Sequence, residues 1–171
     1  MLFRSGPMTL PGQVDVVERH LADALASGGR PVQGGLDSVR SPFVDPVVLV
    51  DVPEESSAVR EETFGPVVTV TPVASLADGV RLANASPYAL GSAVFTKRRK
   101  AGLRAARALR SGMTSVNSVI SFAAVPALPF GGSGESGFGR IHGADGLREF
   151  SRAKSITRQR MRPLEIGRAH V

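Results

Sequence analysis

The sequence predicts an α/β fold, built on a parallel sheet with helices on both faces. Segments of strand character alternate along the chain with segments of helical periodicity, the order typical of such folds. Two of the strand segments, 47–50 (VVLV) and 66–73 (PVVTVTPV), are apolar almost throughout and rich in β-branched residues. Continuous apolar strands are typical of parallel sheets whose two faces are both buried. Right-handed crossovers between the strands then follow.

The amino-terminal part predicts one helix and three strands. Apolar residues recur over 13–27 at the three- and four-residue spacing of a helix, which a pair of glycines ends. Residues 31–33 (PVQ) predict a short strand before two further glycines. Prolines bound the segment 43–52 around its apolar centre, and 66–73 carries strand-forming residues, so both predict buried strands.

The following part of the chain alternates helix and strand. Ser75 is a good N-cap for a helix that runs to about Asn84, and 90–96 (LGSAVFT) predicts a strand. Residues 97–111, rich in alanine and arginine, predict a helix that a glycine ends. Residues 114–116 then predict a short further strand.

The carboxyl-terminal part begins with an irregular apolar segment, 118–128 (SVISFAAVPAL), followed by a glycine-rich segment. Apolar surface of this kind is costly in water. It therefore either fills the core or forms the wall of a pocket for an apolar ligand, and the sequence leaves both open. Residues 145–153 predict a last helix. Residues 155–159 (SITRQ) predict an exposed edge strand, of the kind that pairs with another chain.

Composition excludes several classes of protein. The 171 residues are 42% apolar, which is enough to form a core and excludes a disordered chain. There are no cysteines, which excludes disulfides, a thiolate zinc site and a cysteine nucleophile within this sequence. No apolar run approaches the roughly 18 residues of a membrane span, and the first residues lack the apolar stretch of a signal peptide. We therefore expect one cytoplasmic globular unit with no membrane partner.

The charged and metal-ligating residues indicate no special site. The formal net charge is +6, and many of the cations lie between Arg140 and Arg168, where Phe150 is the one aromatic residue. We interpret this tail as a solvated face, because nucleic-acid modules usually add aromatic stacking platforms, and we expect no nucleic-acid partner. His20, His142 and His170 share no ligand spacing, so we expect surface histidines and no metal.

Two short motifs are candidate cofactor sites. Gly132-x-Gly134-x-x-Gly137 matches a bare dinucleotide pattern but lacks the adjoining strand and helix, so it predicts a tight turn. Glu62 and Phe64 stand two residues apart just before a predicted strand, and such residues face the same way in extended backbone. That carboxylate either accepts hydrogen bonds from two ribose hydroxyls with the ring nearby, or is a solvated acid before a turn.

Five separated blocks of the sequence belong together: 61–67 (EETFGPV), 84–96 (NASPYALGSAVFT), 111–117 (SGMTSVN), 129–140 (PFGGSGESGFGR) and 146–155 (GLREFSRAKS). In this order they resemble the NAD(P)-dependent aldehyde dehydrogenases. The resemblance spans roughly residues 5–163, and the order of its blocks makes it far more specific than any single motif.

The resemblance implies a reaction and a place within the enzyme. In the family a cysteine thiolate attacks an aldehyde to give a thiohemiacetal, hydride passes to the nicotinamide, and a glutamate-activated water releases the acid. The cysteine, that glutamate and the cofactor-binding domain lie in the family before the part that this sequence resembles. The chain therefore resembles a truncated, carboxyl-terminal part of the catalytic domain, which we expect to be inactive alone and to contain no catalytic residue.

The resemblance also assigns roles to single residues. Glu62 corresponds to the carboxylate that holds the nicotinamide ribose of NAD or NADP, and Phe64 to the ring beside the nicotinamide. Phe122 and Phe130 resemble the wall of the aldehyde entry tunnel. Because the segment 118–128 carries no cation, we expect medium aliphatic or aromatic aldehydes, while semialdehydes remain open.

The implied organisation has three parts: residues 1–153 from the catalytic domain, 154–164 as an oligomerisation strand that forms a homo-oligomer in the full-length parent, and 165–171 (EIGRAHV). The last reads like a translated sequencing adapter. The sequence leaves two alternative functions open. One is a non-catalytic module that pairs with full-length aldehyde dehydrogenase subunits, and the less favoured one is a basic nucleic-acid-binding module.

Overall fold

The computed structural model describes residues 6–160. In chain order, the first half consists of α1 (Pro11–Ala26), β1 (Arg30–Gln33), a 3₁₀ turn (Leu36–Ser38), β2 (Val39–Arg40), β3 (Phe43–Val44), β4 (Val47–Val50), α2 (Ser57–Arg60) and β5 (Val67–Val70). The second half consists of α3 (Leu76–Ala83), β6 (Tyr88–Ala89), β7 (Gly91–Val94), α4 (Arg99–Ala108), β8 (Met113–Val116), a second 3₁₀ turn (Ser121–Ala124), β9 (Ser133–Gly134) and α5 (Gly143–Glu149).

The main core lies between α1 and a three-stranded sheet of order β1-β4-β5. The long helix presents Val17 and Leu21 to this core, and β4 presents Leu49; all three are fully buried. Strand β4 runs parallel to β5, with Val47 opposite Val67. The burial of this helical face, rather than helix propensity, gives α1 its stability.

The second half is built on a parallel pair, β7 and β8, covered by α4. The inner side of α4 carries Gly102 and Ala105, both buried. A Cβ added at Gly102 would lie 2.8 Å from Thr96 Cγ2 and 3.0 Å from Val116 Cγ1, so the helix approaches the strands as closely as glycine allows. Strands β6 and β9 pair antiparallel beside this unit.

The predicted α/β class is confirmed, but a single parallel sheet is not what the described part of the chain forms. The parallel pairs β4–β5 and β7–β8 belong to separate sheets, and β1 runs antiparallel to β4. The reason lies in the connections. A crossover that includes α2 joins β4 to β5, whereas the link from β1 to β4 contains only a 3₁₀ turn and a small hairpin, and a parallel pair needs a longer, usually helical, crossover.

The carboxyl-terminal predictions need one correction. The last helix is α5, at Gly143–Glu149, shorter and earlier than the predicted 145–153. Residues 155–159 are unpaired in the isolated chain, with Ile156 80% exposed, so their pairing with another chain stays a prediction. A strand needs a hydrogen-bonded neighbour, which the isolated chain does not supply here. The segment 165–171 lies outside the described residues, and the proposed part 154–164 extends beyond them.

The apolar segment 118–128 lies at the surface. Val119 is 70% exposed and Ile120 is 63% exposed, so this segment does not fill the core of the chain. No helix within residues 6–160 has the length and apolar character needed to cross a bilayer.

Candidate cofactor and substrate site

The candidate cofactor residues lie on segment 61–65, which links α2 to β5. Its backbone is extended at Glu61 and turns at Phe64, where the Gly65 amide donates to the Thr63 carbonyl oxygen at 2.8 Å. Glu61 and Thr63 both bond to His20 of α1. Glu62 lies between these two residues and Phe64 follows Thr63. Both are exposed, and Phe64 is 68% exposed. The common orientation of Glu62 and Phe64 stays a prediction, because it assumes extended backbone and the chain turns at Phe64.

His20 anchors the inner face of segment 61–65 and corrects a sequence prediction. Its side chain is fully buried, not on the surface. Nδ1 lies 2.6 Å from Thr63 Oγ1, and Nε2 lies 3.1 Å from Glu61 Oε2. The sequence held the signal, because His20 stands three residues after Val17 and four before Ala24, on the buried face of α1. His142, by contrast, is exposed as predicted, and His170 lies outside the described residues.

Glu61 is the electrostatic centre of this anchor. Arg19 donates to both of its carboxylate oxygens, at 2.9 and 3.3 Å. Hydrogen bonds from Arg19 and His20 lower the pKa of Glu61 from 4.5 to about 2, so the group is ionised at neutral pH. An ionised carboxylate only accepts, so Nε2 of His20 carries the proton in that bond. In a neutral imidazole, Nδ1 then accepts from the Thr63 hydroxyl.

A second anchor lies one turn further along α1. Asp23 Oδ2 accepts from Ser56 Oγ at 2.7 Å, from the Ser57 amide at 2.7 Å and from Ser57 Oγ at 2.9 Å. These bonds lower the pKa of Asp23, the Ser56 bond contributing most. At the other end of the segment, a Cβ added at Gly65 would lie 2.6 Å from Val17 Cγ2. One helix therefore fixes the backbone on both sides of Glu62.

The candidate substrate residues form an aromatic cluster in the second half of the chain. The rings of Phe122 and Phe130 are tilted to one another with centroids 6.3 Å apart, and Phe130 lies 6.0 Å from the ring of His142. Phe122 covers Gly91 of β7, where an added Cβ would lie 2.9 Å from its Cζ. The 3₁₀ turn that carries Phe122 is bonded to β8 through Ser115 Oγ and Ser121 Oγ, 3.1 Å apart.

The structure brings Phe122 and Phe130 together, whereas Glu62 and Phe64 are neighbours only in sequence, and the two pairs flank different sheets. Glu62 and Phe64 precede β5, whereas Phe122 and Phe130 lie on the connection that follows β8. A cleft of about 420 Å³ between α2 and α3 is lined by other residues. The glycine motif at 132–137 forms the predicted tight turn, with positive φ at Gly134 and Gly137 and a two-residue strand, not a phosphate cradle between strand and helix.

Sequence comparison identifies the family. The profile of the aldehyde dehydrogenase family matches residues 3–156. The chain belongs to the aldehyde dehydrogenase family. The 4,4'-diapolycopene aldehyde oxidase of a Methylomonas species is 40% identical over 146 residues, 85% of this chain and 27% of that protein. A relative from Mycobacterium ulcerans, named as a succinate-semialdehyde dehydrogenase [NADP(+)] 2, is 36% identical over 91% of this chain and 31% of its own length.

Solved structures agree with this assignment. The salicylaldehyde dehydrogenase of Pseudomonas putida G7, complexed with salicylaldehyde, superposes with a TM-score of 0.86 at 27% identity. The match covers 94% of this chain and 33% of that one. A Mycobacterium tuberculosis aldehyde dehydrogenase complexed with NAD+ gives a TM-score of 0.76 at 32% identity, over 86% of this chain and 30% of that chain. This aldehyde dehydrogenase chain spans about a third of the length of the curated relatives it matches.

Proposed function

We propose that the chain is the carboxyl-terminal part of the catalytic domain of an enzyme that oxidises aldehydes to carboxylic acids with NAD or NADP. The observation that carries this proposal is the exposed pair Glu62 and Phe64, held by the buried His20 anchor within a block of family sequence. A fixed backbone lowers the entropic cost of placing this side chain at binding.

Glu62 fits the role of a ribose ligand. A carboxylate accepts hydrogen bonds from two neighbouring hydroxyls at once, and Glu62 has no hydrogen-bond partner among the described residues that would compete. Phe64, two residues on, offers an exposed ring for the flat nicotinamide. The bound cofactor supplies the hydride acceptor, while these residues hold and orient it. Names of relatives support both forms, because one carries NADP(+) in its name and another was solved with NAD+.

Phe122 and Phe130 fit the wall of an aldehyde tunnel. The connection that carries them exposes further apolar side chains and contains no cation between residues 118 and 128. A carboxylate-bearing substrate would favour an arginine or a hydroxyl clamp, so we propose medium aliphatic or aromatic aldehydes as the substrate class. Semialdehydes stay a second substrate class, since the Ser121 hydroxyl lies on the same 3₁₀ turn as Phe122 and offers a donor for a carboxylate.

A cysteine nucleophile is not provided by this sequence, which contains no cysteine, and the family resemblance implies that the general-base glutamate precedes this part of the enzyme. We infer that the chain alone does not oxidise aldehydes and that the remaining two thirds of an aldehyde dehydrogenase supply those groups. We also propose that residues 154–164 form the strand through which subunits of the parent enzyme associate. That residues 155–159 lie exposed and unpaired in the isolated chain is consistent with a partner on another subunit.

A chimeric enzyme tests the catalytic role. Residues 6–160 replace the matching third of the salicylaldehyde dehydrogenase of Pseudomonas putida G7, and formation of reduced nicotinamide is followed with salicylaldehyde. We expect turnover by the chimera and none by the 171-residue chain.

In the chimera, Glu62→Gln removes a charge-assisted bond to the ribose worth roughly 1.5–3 kcal/mol. The KM for the cofactor then rises by about tenfold to a hundredfold.

Glu55→Gln is the matched control for Glu62→Gln. Glu55 is an exposed glutamate seven residues earlier, with no hydrogen bond among residues 6–160. Its substitution leaves the cofactor KM unchanged. A chimera that melts cooperatively but produces no reduced cofactor would contradict the catalytic role, and equal effects of Glu55→Gln and Glu62→Gln would contradict the role of Glu62.

A second candidate function is a non-catalytic module that pairs with full-length aldehyde dehydrogenase subunits. The free edge of β5 favours it, because Val68 and Val70 are exposed beside a strand edge that no described strand covers. Co-purification of the untagged chain with a tagged intact aldehyde dehydrogenase distinguishes the two functions. If the tagged enzyme captures the chain and the chimera is inactive, the result supports the non-catalytic module.

A further inference from the structure

Helix α4 carries a dense set of exposed cations. No aspartate or glutamate occurs between Asp78 and Glu135 in the sequence. Within that interval, the helix and its two ends expose seven basic side chains: Lys97, Arg98, Arg99, Lys100, Arg104, Arg107 and Arg110. This concentration lies in the middle of the chain, outside the basic tail at 140–168.

Within residues 6–160 six other arginines have side-chain partners, whereas these seven basic side chains have none; Arg81, Arg152, Arg158 and Arg160 also have none. Arg19 and Arg148 form ion pairs with acids, and Arg140 donates to three backbone carbonyl oxygens. The side chains of the seven basic residues at α4 form neither a hydrogen bond nor an ion pair within residues 6–160. Their charge is therefore available to a partner.

The helix gathers the central four cations on one face. At 3.6 residues per turn, Arg99, Lys100, Arg104 and Arg107 fall within an arc of roughly 140°. We call these four residues the cationic face. Gly102 and Ala105 lie on the opposite side, against β7 and β8. The cationic face therefore points away from the protein along the length of the helix.

The first part of the cationic face is unfavourable for the helix that bears it, whereas Arg107, in the last turn, is favourably placed. Cations in a first turn oppose the helix dipole, and α4 has no acidic residue there and no side-chain N-cap at Arg98. Lys100 and Arg104 are also like charges four residues apart, which repel. A sequence that keeps such local conflict without an internal partner indicates a role in binding something anionic.

We propose that the cationic face binds the phosphate backbone of duplex nucleic acid without reading its base sequence. Three of the four side chains are arginines, whose fork of donors matches phosphate oxygens in pairs. The face extends over about 12 Å at 1.5 Å per residue, along which a duplex presents a row of regularly spaced phosphates. A band of cations of this length is complementary to that row of anions.

Two other anionic partners fit less well. Helices that bind bilayers need a free apolar side, and the apolar side of α4 is occupied by β7 and β8. Single strands are usually held by aromatic stacking, and none of the four residues of the face is aromatic. The proposal is independent of the proposed catalytic role and departs from the expectation of no nucleic-acid partner.

Fluorescence anisotropy of the 171-residue chain with a labelled mixed-sequence DNA duplex of about 20 base pairs tests the proposal, between about 50 and 200 mM salt. We expect binding that weakens steeply with salt. The variant R99Q/K100Q/R104Q/R107Q removes the four charges of the cationic face, and glutamine, a good helix former, preserves the helix. The slope of log affinity against log salt should fall by about 3 to 4, and affinity at the lower salt by at least tenfold.

The control variant R152Q/K154Q/R158Q/R160Q removes the same charge from exposed residues outside α4 and should keep most of the slope. R99K/R104K/R107K keeps the charge and should also bind, which separates lost charge from a disturbed helix. The proposal is overturned if wild type shows no binding, if both glutamine variants lose affinity equally, or if vesicles of anionic lipid bind more tightly than the duplex through the same face.

Discussion

Two adjacent glutamates illustrate how one residue position separates structure from function. Glu61 faces α1, where Arg19 and His20 donate to it, whereas Glu62 faces solvent with its carboxylate free. The alternation of extended backbone produces this difference without any change of residue type. A substitution at Glu61 therefore tests the anchor, and one at Glu62 tests the ligand.

Glu61 should give the chain a specific dependence on acid. Its pKa is lowered from 4.5 to about 2 in the folded state, so the folded state prefers the ionised form. The resulting stabilisation is complete above the unfolded pKa and is lost as the pH falls from about 5 to about 2. The free energy of unfolding in urea, measured across this range, should therefore fall more for wild type than for Glu61→Gln.

Glu62→Gln is the matched control in this titration, because it removes a carboxylate one residue away that bonds to neither Arg19 nor His20. Its acid profile should follow that of wild type. Parallel curves for wild type and Glu61→Gln would show that the anchor does not contribute to folding.

At the scale of elements, local signals were sufficient where the cause is local. The strand at Val67–Val70 and the helix that Ser75 caps lie within their predicted segments, because β-branched runs and caps act within a few residues. Local patterns did not reveal the antiparallel pairing of β1, which depends on its connection to β4. Nor did they reveal the partners of His20, which stand about forty residues away in sequence, although the helical spacing of His20 indicated its burial.

The roles assigned to Glu62, Phe64, Phe122 and Phe130 came from family resemblance rather than from local pattern. Composition alone left the carboxylate before β5 open between a ligand and a solvated acid, and the apolar connection open between core and pocket. The structure places the four residues and excludes the core for that connection, since Val119 and Ile120 are exposed. Their roles stay predictions, because the partners that define them belong to the rest of the enzyme.

Ser75 gives a test at the level of a single helix. Its hydroxyl accepts from the Asp78 amide at 3.1 Å and donates to Asp78 Oδ2 at 2.7 Å, closing the first turn of α3. Ser75→Ala leaves that amide without its cap and should lower the free energy of unfolding by about 1 kcal/mol. Ser75→Asn supplies another capping oxygen and should stay close to wild type in the same urea titration. Equal stability of all three proteins would contradict the cap.

The whole molecule exposes apolar surface beside an open strand edge. Strand β5 pairs with β4 on one side, and no strand within residues 6–160 covers its other side. Val68 and Val70 point to one face of β5 and are each about half exposed. An edge of this kind pairs readily with another chain unless a charge guards it. The proposed place within a larger catalytic domain gives this edge a cover that the isolated chain lacks.

The isolated chain should therefore self-associate through β5. Val68→Lys places a charge on the exposed side of the strand and should lower the weight-average mass found by sedimentation at a given concentration, without loss of the β4–β5 pairing. Leu147→Lys, on α5, makes the same kind of change at a residue that is 72% exposed but belongs to no sheet edge, and should associate like wild type. A wild-type chain that remains monomeric at every concentration would contradict this expectation. An equal fall in weight-average mass for Val68→Lys and Leu147→Lys would show that the associating surface is not the β5 edge.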